Sequence, residues 1–369
     1  MNRGAHRLRT IKTVLAIALS GAVAAQASEA GDKRPPMVQE DGSILVQEQR
    51  YAMPGSFSDE ARQAFTGYFA RGGDPQFSGD IHAIRTVYDE QWAGPILAQW
   101  LEKYPSRIER RTVAGVTVDI VEPAAGVPAA HADKVLISLH GGGFAIGNGG
   151  VGGKMEAVPM ASVGGYRVYA VDYRQAPEAT YPAATDDVVA VYKALLKDYK
   201  PENIGIVGSS AGGMLTAQAV ARLNKDGLPG PGAIAIQAAG ATASDGASDS
   251  RFWMLGLTGG LVKIPEEIPH LPQYFSAADR QDPMAFPGGH PDLLAKFPPT
   301  LILSSSRDAL LGNALDTFAN LRAANVESHL YVRHGFGHGY FTQVPDVPEA
   351  IAAWDETAKH FKRYLGGKH

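Results

Sequence analysis

The sequence predicts an α/β fold in which a mostly parallel central sheet is flanked by helices. Short apolar runs that are typical of buried strands alternate with stretches whose apolar residues recur at helical spacing. Alternation of this kind produces a parallel sheet with helices on both of its faces. The strand-like runs lie near residues 116–121, 135–139, 166–171, 204–207, 233–237, 301–305 and 329–332.

Two further observations agree with this prediction. The clearest helical pattern places five side chains on one face of a helix: Val188, Val191, Tyr192, Leu195 and Tyr199. Hydrophobic residues make up 45% of the 369 residues, which is enough for one large core. The chain has no internal repeat, so we expect one main body with an insertion.

The strongest candidate for a reactive group is Ser210. It stands at the centre of Gly208–Gly212 (Gly-Ser-Ser-Ala-Gly), between the strand-like run 204–207 and a helical pattern over 214–223. A Gly-x-Ser-x-Gly at a strand-to-helix turn is typical of a nucleophile elbow, in which a sharp turn exposes the serine oxygen. The alternative is a glycine-rich turn with an unreactive serine, but the strand–turn–helix context favours the elbow.

A serine nucleophile needs backbone donors for the negative charge that develops on its substrate. His140–Phe144 (His-Gly-Gly-Gly-Phe) follows the strand-like run 135–139, and its glycines leave backbone N–H groups uncovered. A nucleophile elbow of the known type uses the N–H of the residue after the nucleophile, here Ala211, together with N–H groups of a glycine-rich loop of this kind. We therefore predict an oxyanion hole formed by the N–H groups of Gly142, Gly143 and Ala211. A phosphate-binding loop is the alternative, but the glycine spacing differs from Gly-x-Gly-x-x-Gly and no Gly-Lys-Ser/Thr follows.

A serine of this kind also needs a histidine base, which in such folds lies late in the chain. His334 and His338 are the candidates, because both lie in the loop after the last strand-like run. His338 is favoured because glycines flank it and because it lies further from the strand. A zinc site formed by the pair would require a helix, and the intervening glycines argue against one. We expect no metal and no cofactor.

The acid that orients the histidine is predicted to be Asp308. It follows the strand-like run 301–305. In parallel sheets, active sites lie at the carboxyl ends of the strands. Its role would be to accept the imidazole N–H and to stabilise the imidazolium. The alternative role is an N-cap for a helix over Ala309–Ala323.

These motifs resemble those of the hormone-sensitive-lipase-like bacterial carboxylesterases, members of the α/β-hydrolase superfamily that carry an HGGGF loop. Further matching segments are Asp172–Glu178, Tyr181–Ala184, Asp187, Asp282-Pro283 and Phe297–Ile302. Agreement of several motifs in order and spacing makes the resemblance specific. The chain departs from the family at Ser209, where Asp, Glu or Thr is usual, at Tyr181, which replaces Phe, and in the loose version of Asp-Pro-Leu at 307–310.

The resemblance implies an α/β-hydrolase fold and a serine carboxylesterase that acts on short- to medium-chain esters through an acyl-serine intermediate. The spacing of Val332 and Gly335 from the histidine selects His338 over His334. The catalytic residues would then be Ser210, Asp308 and His338. The alternatives are an amidase, peptidase or deacetylase of the same fold, or a non-catalytic binding protein, although every catalytic group is present here.

The resemblance also implies a cap over the active site. Its pieces would be the N-terminal segment 28–107 and an insertion at about 244–296, with the catalytic domain over 108–369. The predicted substrate pocket is lined by aromatic residues: Phe144, Phe252, Trp253, Tyr274 and Phe275. For each of these residues the alternative role is packing of the cap onto the core.

The first 27 residues are predicted to be a secretory signal peptide. Four basic residues precede an apolar stretch over 13–25, and Ala25-Gln26-Ala27 fits a cleavage site. The apolar stretch is short for a membrane span. We expect export to a bacterial periplasm or the medium, with no stable membrane anchor after cleavage.

The charge of the chain limits its partners. Removing residues 1–27 removes four basic residues and no acidic ones, which takes the formal net charge from −4 to −8. Mild acidity argues against nucleic-acid or anionic-membrane partners. We therefore expect a small-molecule ester as the partner, and the sequence allows a homodimer.

The signal-peptide prediction can be tested directly. We expect the exported protein to begin at Ser28, because the Ala-x-Ala site ends at Ala27. N-terminal sequencing of protein recovered from the periplasm or medium measures this. An active cytosolic enzyme that retains Met1 would contradict the prediction.

Overall fold

The computed structural model describes residues 37–38, 44–46, 49–70, 79–147, 150–243, 272–276 and 278–366. The predicted signal peptide, residues 1–27, lies outside the described residues. Of the predicted insertion, only 272–276 and 278–296 are described.

Three short strands near the N-terminus form a small antiparallel sheet: β1 (Met37–Val38), β2 (Ile44–Val46) and β3 (Gln49–Tyr51).

Eight further strands form the central sheet. The strands of the central sheet are β4 (Ser106–Val113), β5 (Val116–Pro123), β6 (Val135–Leu139), β7 (Arg167–Val171), β8 (Ile204–Ser209), β9 (Ala233–Gln237), β10 (Thr300–Ser305) and β11 (Ser328–Arg333). Their order is β11-β10-β9-β8-β6-β7-β5-β4, and β5 is the one antiparallel strand among these eight.

Ten α-helices lie in the described part of the chain: α1 (Asp59–Ala70), α2 (Ile81–Val87), α3 (Gly94–Lys103), α4 (Gly152–Gly164), α5 (Ala183–Leu195), α6 (Ala211–Lys225), α7 (Pro291–Leu294), α8 (Leu311–Ala323), α9 (Tyr340–Gln343) and α10 (Pro348–Tyr364). A π-helical turn, Tyr88–Ala93, joins α2 to α3. Within these residues, no helix has both the length and the apolar character that a membrane crossing requires.

The core consists of two layers, one on each face of the sheet. Alternate residues of β6 point to opposite faces, so Ile137 belongs to one layer and Leu136 to the other. Helices α5, α6 and α8 contribute to the first layer, and α3, α4 and α10 to the second. Both faces are therefore covered, which explains why the central strands are apolar without polar alternation.

All seven predicted strands are present, with ends that differ by at most two residues from the predicted runs. The sequence reasoning missed β4, whose residues are mostly exposed and which therefore lacks an apolar pattern. A signal was available: Ala114 and Gly115 form a two-residue turn with positive φ angles of 52° and 85°, which is typical of a β-hairpin. The helix predicted from Ala309 begins two residues later, at Leu311.

The N-terminal segment packs onto the main body through specific contacts. The Phe57 ring lies 4.4 Å from that of Phe336, and the Ser58 N–H and hydroxyl donate to Glu349. The Arg85 guanidinium donates to the carbonyls of Ala145 and Ala176 and also pairs with Glu178. Residues far from the catalytic motifs in sequence are thus attached to the loops that follow β6 and β7.

The two-layer core leads to a test of stability. Leu136→Ala removes a fully buried side chain from β6, and we expect it to lower the free energy of unfolding by about 2–5 kcal/mol. Leu315→Ala is the matched control, because Leu315 is 42% exposed on α8 and should change stability by no more than about 0.5 kcal/mol. Urea unfolding followed by fluorescence measures both. Equal losses would contradict the placement of Leu136 in the core.

Candidate active site

The predicted site residues meet at one edge of the sheet. Strands β6, β8, β10 and β11 run parallel, so their carboxyl ends lie on the same side. Ser210 follows β8, Asp308 follows β10 and His338 follows β11. The loop His140–Phe144, which we call the oxyanion loop, follows β6, the strand that pairs directly with β8.

The turn at Ser210 has an unusual backbone. Its φ and ψ angles are 53° and −119°, a conformation that non-glycine residues rarely adopt. Gly208 and Gly212 make the turn possible: a Cβ on Gly208 would collide with the Gly212 carbonyl, and a Cβ on Gly212 with the Leu139 carbonyl. The glycines of the predicted elbow are therefore required by close backbone approach. Strain of this kind occurs at functional sites.

The structure brings Ser210, His338 and Asp308 into one hydrogen-bonded chain. His338 Nε2 lies 2.9 Å from Ser210 Oγ, and His338 Nδ1 lies 2.8 Å from Asp308 Oδ1. Since an ionised carboxylate only accepts, Nδ1 carries the proton and Nε2 is left to accept one from the serine. This is the arrangement that activates a serine nucleophile.

Asp308 is fully buried, but its charge is well compensated. Its carboxylate accepts hydrogen bonds from His338, from the Leu310 N–H and from the Ser304 hydroxyl. Burial alone would raise the pKa of this carboxyl, but the nearby imidazole and these three donors outweigh it and hold the pKa below its ordinary value. The N-cap role that the sequence offered as an alternative is not seen, because the N-cap of α8 is Leu310 and it has no side-chain cap; the bond from the Leu310 N–H to Asp308 belongs to the turn before the helix.

His338 lies between its acid and the solvent. About a third of its side chain, 34%, is exposed, whereas Asp308 has no exposed surface. Burial of the ring favours the neutral form, but the charge of Asp308, its hydrogen bond and the charge of Glu156 together raise the pKa of His338 above its ordinary value. Ser305 and Ser306 attach the loop by bonding to the Gly337 carbonyl and the Gly335 N–H.

The oxyanion loop lies directly against the elbow. Gly142 and Gly143 have φ angles of +113° and +60°, which bare glycines tolerate and which turn the loop sharply after β6. Ala211, the third predicted donor, is the first residue of α6, where backbone N–H groups have no partner within the helix. Ala211 thus directly follows Ser210, and Gly142 and Gly143 directly follow Gly141, where a Cβ would lie 3.2 Å from Ser210 Cβ.

Glu156 is a site residue that sequence reasoning missed. It lies in α4, is 6% exposed, and its Oε1 accepts from the Gly141 N–H at 2.9 Å and from the Ser209 hydroxyl at 2.5 Å. Burial raises the pKa of Glu156 to about 7, against the lowering effect of those hydrogen bonds. The available signal was a single acid in the otherwise apolar Met155–Met160.

The structure changes the predicted pocket. Tyr274 has no exposed surface and its hydroxyl accepts from the Ala184 N–H, so the prediction that it lines the pocket is wrong. Phe144 is 4% exposed and stacks on Tyr274 with ring centroids 4.4 Å apart, so both support the oxyanion loop from the core. Phe275 is partly exposed and remains a candidate wall. Phe252 and Trp253 lie outside the described residues.

The other histidines near the site do not extend the triad. His334 is exposed in the turn after β11. His140 is buried against Tyr173, its Nδ1 donates to the Gly141 carbonyl, and burial lowers its pKa to about 4, so the ring is neutral. Within the described residues, no group of three His, Asp or Glu side chains is placed to hold a metal ion.

Comparisons with known proteins agree with this geometry. Residues 136–342 match the family model described as the alpha/beta hydrolase fold. Over 265 residues the chain is 30% identical to a protein of Mycobacterium tuberculosis that carries the name acetyl-hydrolase LipR, covering 70% of this chain and 82% of that one. An acetyl esterase of Salmonella paratyphi B is 27% identical over 243 residues, covering 64% and 72% of the two chains.

Solved structures lead to the same group. A crystal structure of an esterase from the bacterial hormone-sensitive lipase family superposes with a TM-score of 0.69 at 26% identity, covering 84% of this chain and 99% of that one. The chain therefore belongs to the alpha/beta hydrolase family, in the group of hormone-sensitive-lipase-like esterases. The predictions of the fold class, the family and the enzyme class, a carboxylic ester hydrolase, are confirmed.

The electrostatics of His338 give a pH prediction. Only the neutral imidazole accepts the serine proton, so kcat/KM should rise with pH through an apparent pKa above about 6.5, since His338 titrates above its ordinary value. Initial rates with p-nitrophenyl butyrate between pH 5 and pH 9 measure this. Asp308→Asn serves as the comparison variant. The rise of kcat/KM should shift to lower pH, because the carboxylate that raises the pKa of His338 is gone. Activity lost to a chelator and restored by metal would contradict a metal-free triad.

Proposed function

We propose that the protein is a serine carboxylesterase that hydrolyses short-chain carboxylic esters through an acyl-Ser210 intermediate. The observation that carries the proposal is the hydrogen-bonded chain from Asp308 through His338 to Ser210, placed beside a glycine-rich oxyanion loop. A buried acid, an imidazole of fixed tautomer and a serine on a strained turn are the parts that acyl transfer requires.

In the first half of the reaction, Ser210 Oγ attacks the ester carbonyl carbon while its proton passes to His338 Nε2. The imidazolium that forms is stabilised by Asp308 through the Nδ1–H bond. Backbone N–H groups of Gly142, Gly143 and Ala211 hold the carbonyl oxygen as it becomes negative. His338 then gives its proton to the departing alkoxide, so that the alcohol leaves and the acyl group stays on Ser210.

The second half repeats these roles with water. His338 removes a proton from water, and the resulting hydroxide attacks the acyl carbonyl. Collapse of the second tetrahedral intermediate returns the proton to Ser210 Oγ and releases the carboxylic acid. The exposure of about a third of the His338 side chain supports this step, because it leaves part of the imidazole open to water.

Aromatic packing beside the oxyanion loop supports a preference for short acyl chains. The Phe275 ring lies 5.1 Å from Phe144, 5.0 Å from Tyr274, 5.3 Å from Phe286 and 5.8 Å from Tyr181. Such a cluster is a rigid wall that cannot withdraw for a long chain without breaking several ring contacts. The two curated relatives described above carry names that refer to acetyl groups, which agrees with a short acyl group.

Export belongs to the same proposal. Residues 1–27 have the basic start, the apolar stretch and the Ala-x-Ala end of a secretory signal. The enzyme would then act on esters in the periplasm or the medium.

The nucleophile is tested by two neighbouring serines. Ser210→Ala should lower kcat for p-nitrophenyl butyrate by about 10⁴ or more, because the acyl-enzyme can no longer form. Ser209→Ala is the matched control. It removes a hydroxyl that bonds to Glu156 rather than to His338, and should cost far less. Equal activity of the two variants would show that the nucleophile is assigned wrongly.

Chain-length preference is tested with p-nitrophenyl esters from acetate to palmitate. We expect kcat/KM to be highest at about two to six acyl carbons, because each buried methylene adds only about 0.8 kcal/mol and a longer chain meets the aromatic wall. Phe275→Ala should move the optimum to longer chains. A maximum at palmitate with activation at a lipid interface would instead indicate a lipase.

A further inference from the structure

The buried carboxylate of Glu156 has no role in the triad chemistry described above. It projects from α4, in a stretch where its neighbours Met155, Ala157 and Val158 are at most 2% exposed. An acid in apolar surroundings is costly unless it is hydrogen-bonded, so its partners are informative. Glu156 Oε1 accepts hydrogen bonds from the Gly141 N–H and the Ser209 hydroxyl, and both of these donors belong to the active site.

The two donors belong to the oxyanion loop and to the nucleophile elbow, whose relative position must be fixed for the reaction. Gly141 N–H, at 2.9 Å, belongs to the oxyanion loop and directly precedes Gly142. The Ser209 hydroxyl, at 2.5 Å, belongs to the elbow and directly precedes Ser210. One carboxylate oxygen therefore links the loop after β6 to the turn after β8.

The loop and the elbow are in close contact at this point. A Cβ on Gly141 would lie 3.2 Å from Ser210 Cβ and 3.3 Å from the Ser209 carbonyl oxygen. Movement of the loop would therefore change the distance between the nucleophile and the oxyanion donors. A misplacement of about 1 Å in such a constellation is enough to cost about a hundredfold in rate.

The charge of Glu156 acts on the base as well. The carboxylate raises the pKa of His338, after the larger effects of Asp308, and His338 in turn favours the ionised form of Glu156. Among the described residues, the hydroxyls of Tyr88, from the π-helical turn, and of Tyr173, after β7, also interact with Glu156. Both phenols are neutral at working pH, since burial and the charge of Glu156 raise their pKa values.

We propose that Glu156 is a positioning residue for ester hydrolysis, which clamps the oxyanion loop to the nucleophile elbow through its bonds to the Gly141 N–H and the Ser209 hydroxyl. The inference rests on the proposed function and deepens it. It also accounts for Ser209: where Asp, Glu or Thr is usual in the resembling family, this chain has a short hydroxyl that donates to a carboxylate from α4.

Glu156→Gln tests the inference because it keeps the shape of the side chain and removes its charge. With p-nitrophenyl butyrate we expect kcat to fall about ten- to hundredfold with KM within about twofold, as for a lost interaction that acts in the transition state. The apparent pKa of kcat/KM should also fall, because the negative charge that raises the pKa of His338 is gone. A purely structural role would not shift this pKa.

The matched control is Glu349→Gln. Glu349 is another buried glutamate, 4% exposed, and it bonds to Ser58 outside the site. Its replacement should leave the pH profile unchanged. The double variant Glu156→Gln/Ser209→Asp moves the carboxylate onto the elbow and should restore part of kcat. It should also return the apparent pKa of kcat/KM toward the wild-type value. Titration with a phosphonate counts the active sites in each preparation, so loss of folded enzyme is not read as loss of kcat.

Two results separate this inference from the function on which it rests. An active wild type with a Glu156→Gln variant of unchanged kcat and unchanged pH profile would overturn the clamp alone. A well-folded wild type that neither turns over the ester nor reacts with the phosphonate at Ser210 would overturn the proposed function, and the inference with it.

Discussion

The close approach of two backbones at the nucleophile elbow is the constraint on which the rest of the site depends. The turn after β8 passes so near to β6 that a side chain at Gly212 would meet the Leu139 carbonyl. Ser210 is held at φ 53° by this packing, and the strain is sustained because β6 and β8 are buried throughout and most of α6 is buried as well. The same approach brings the oxyanion loop beside the serine, so one packing contact sets both the nucleophile and its donors.

The charged groups around this turn favour the protonated form of His338, and so they favour proton transfer from Ser210 when the serine attacks. Asp308 is fully buried and ionised, and the imidazole it orients remains partly exposed. Glu156 adds a second carboxylate, which accepts from the Ser209 hydroxyl and the Gly141 N–H and whose charge also raises the pKa of His338. A low local dielectric makes both charges more effective than they would be in water, and it also makes each of them dependent on its hydrogen-bond donors.

Much of this could be predicted from the sequence because the signals are local. Buried strands are continuous apolar runs, the elbow and the oxyanion loop directly follow such runs, and Asp308 and His338 lie in the loops after the last two strand-like runs. The missed features depend on tertiary contacts. β4 is an exposed edge strand with no apolar pattern, Glu156 reaches the site from a helix that carries no motif, and Tyr274 has a composition that suits a pocket as well as a core. The sequence shows which residues directly follow a strand. It does not show which side chains from distant helices or loops pack against the end of that strand.

The central claim is that Ser210 carries the acyl group. The most direct measurement is rapid acid quenching during turnover of p-nitrophenyl butyrate, followed by mass spectrometry of the peptide that contains Ser209 and Ser210. The account predicts a peptide heavier by one butyryl group, with fragmentation that places the group on Ser210, and no such species in Ser210→Ala. Turnover without a modified peptide under conditions where deacylation limits the rate, or a butyryl group on Ser209, would contradict it.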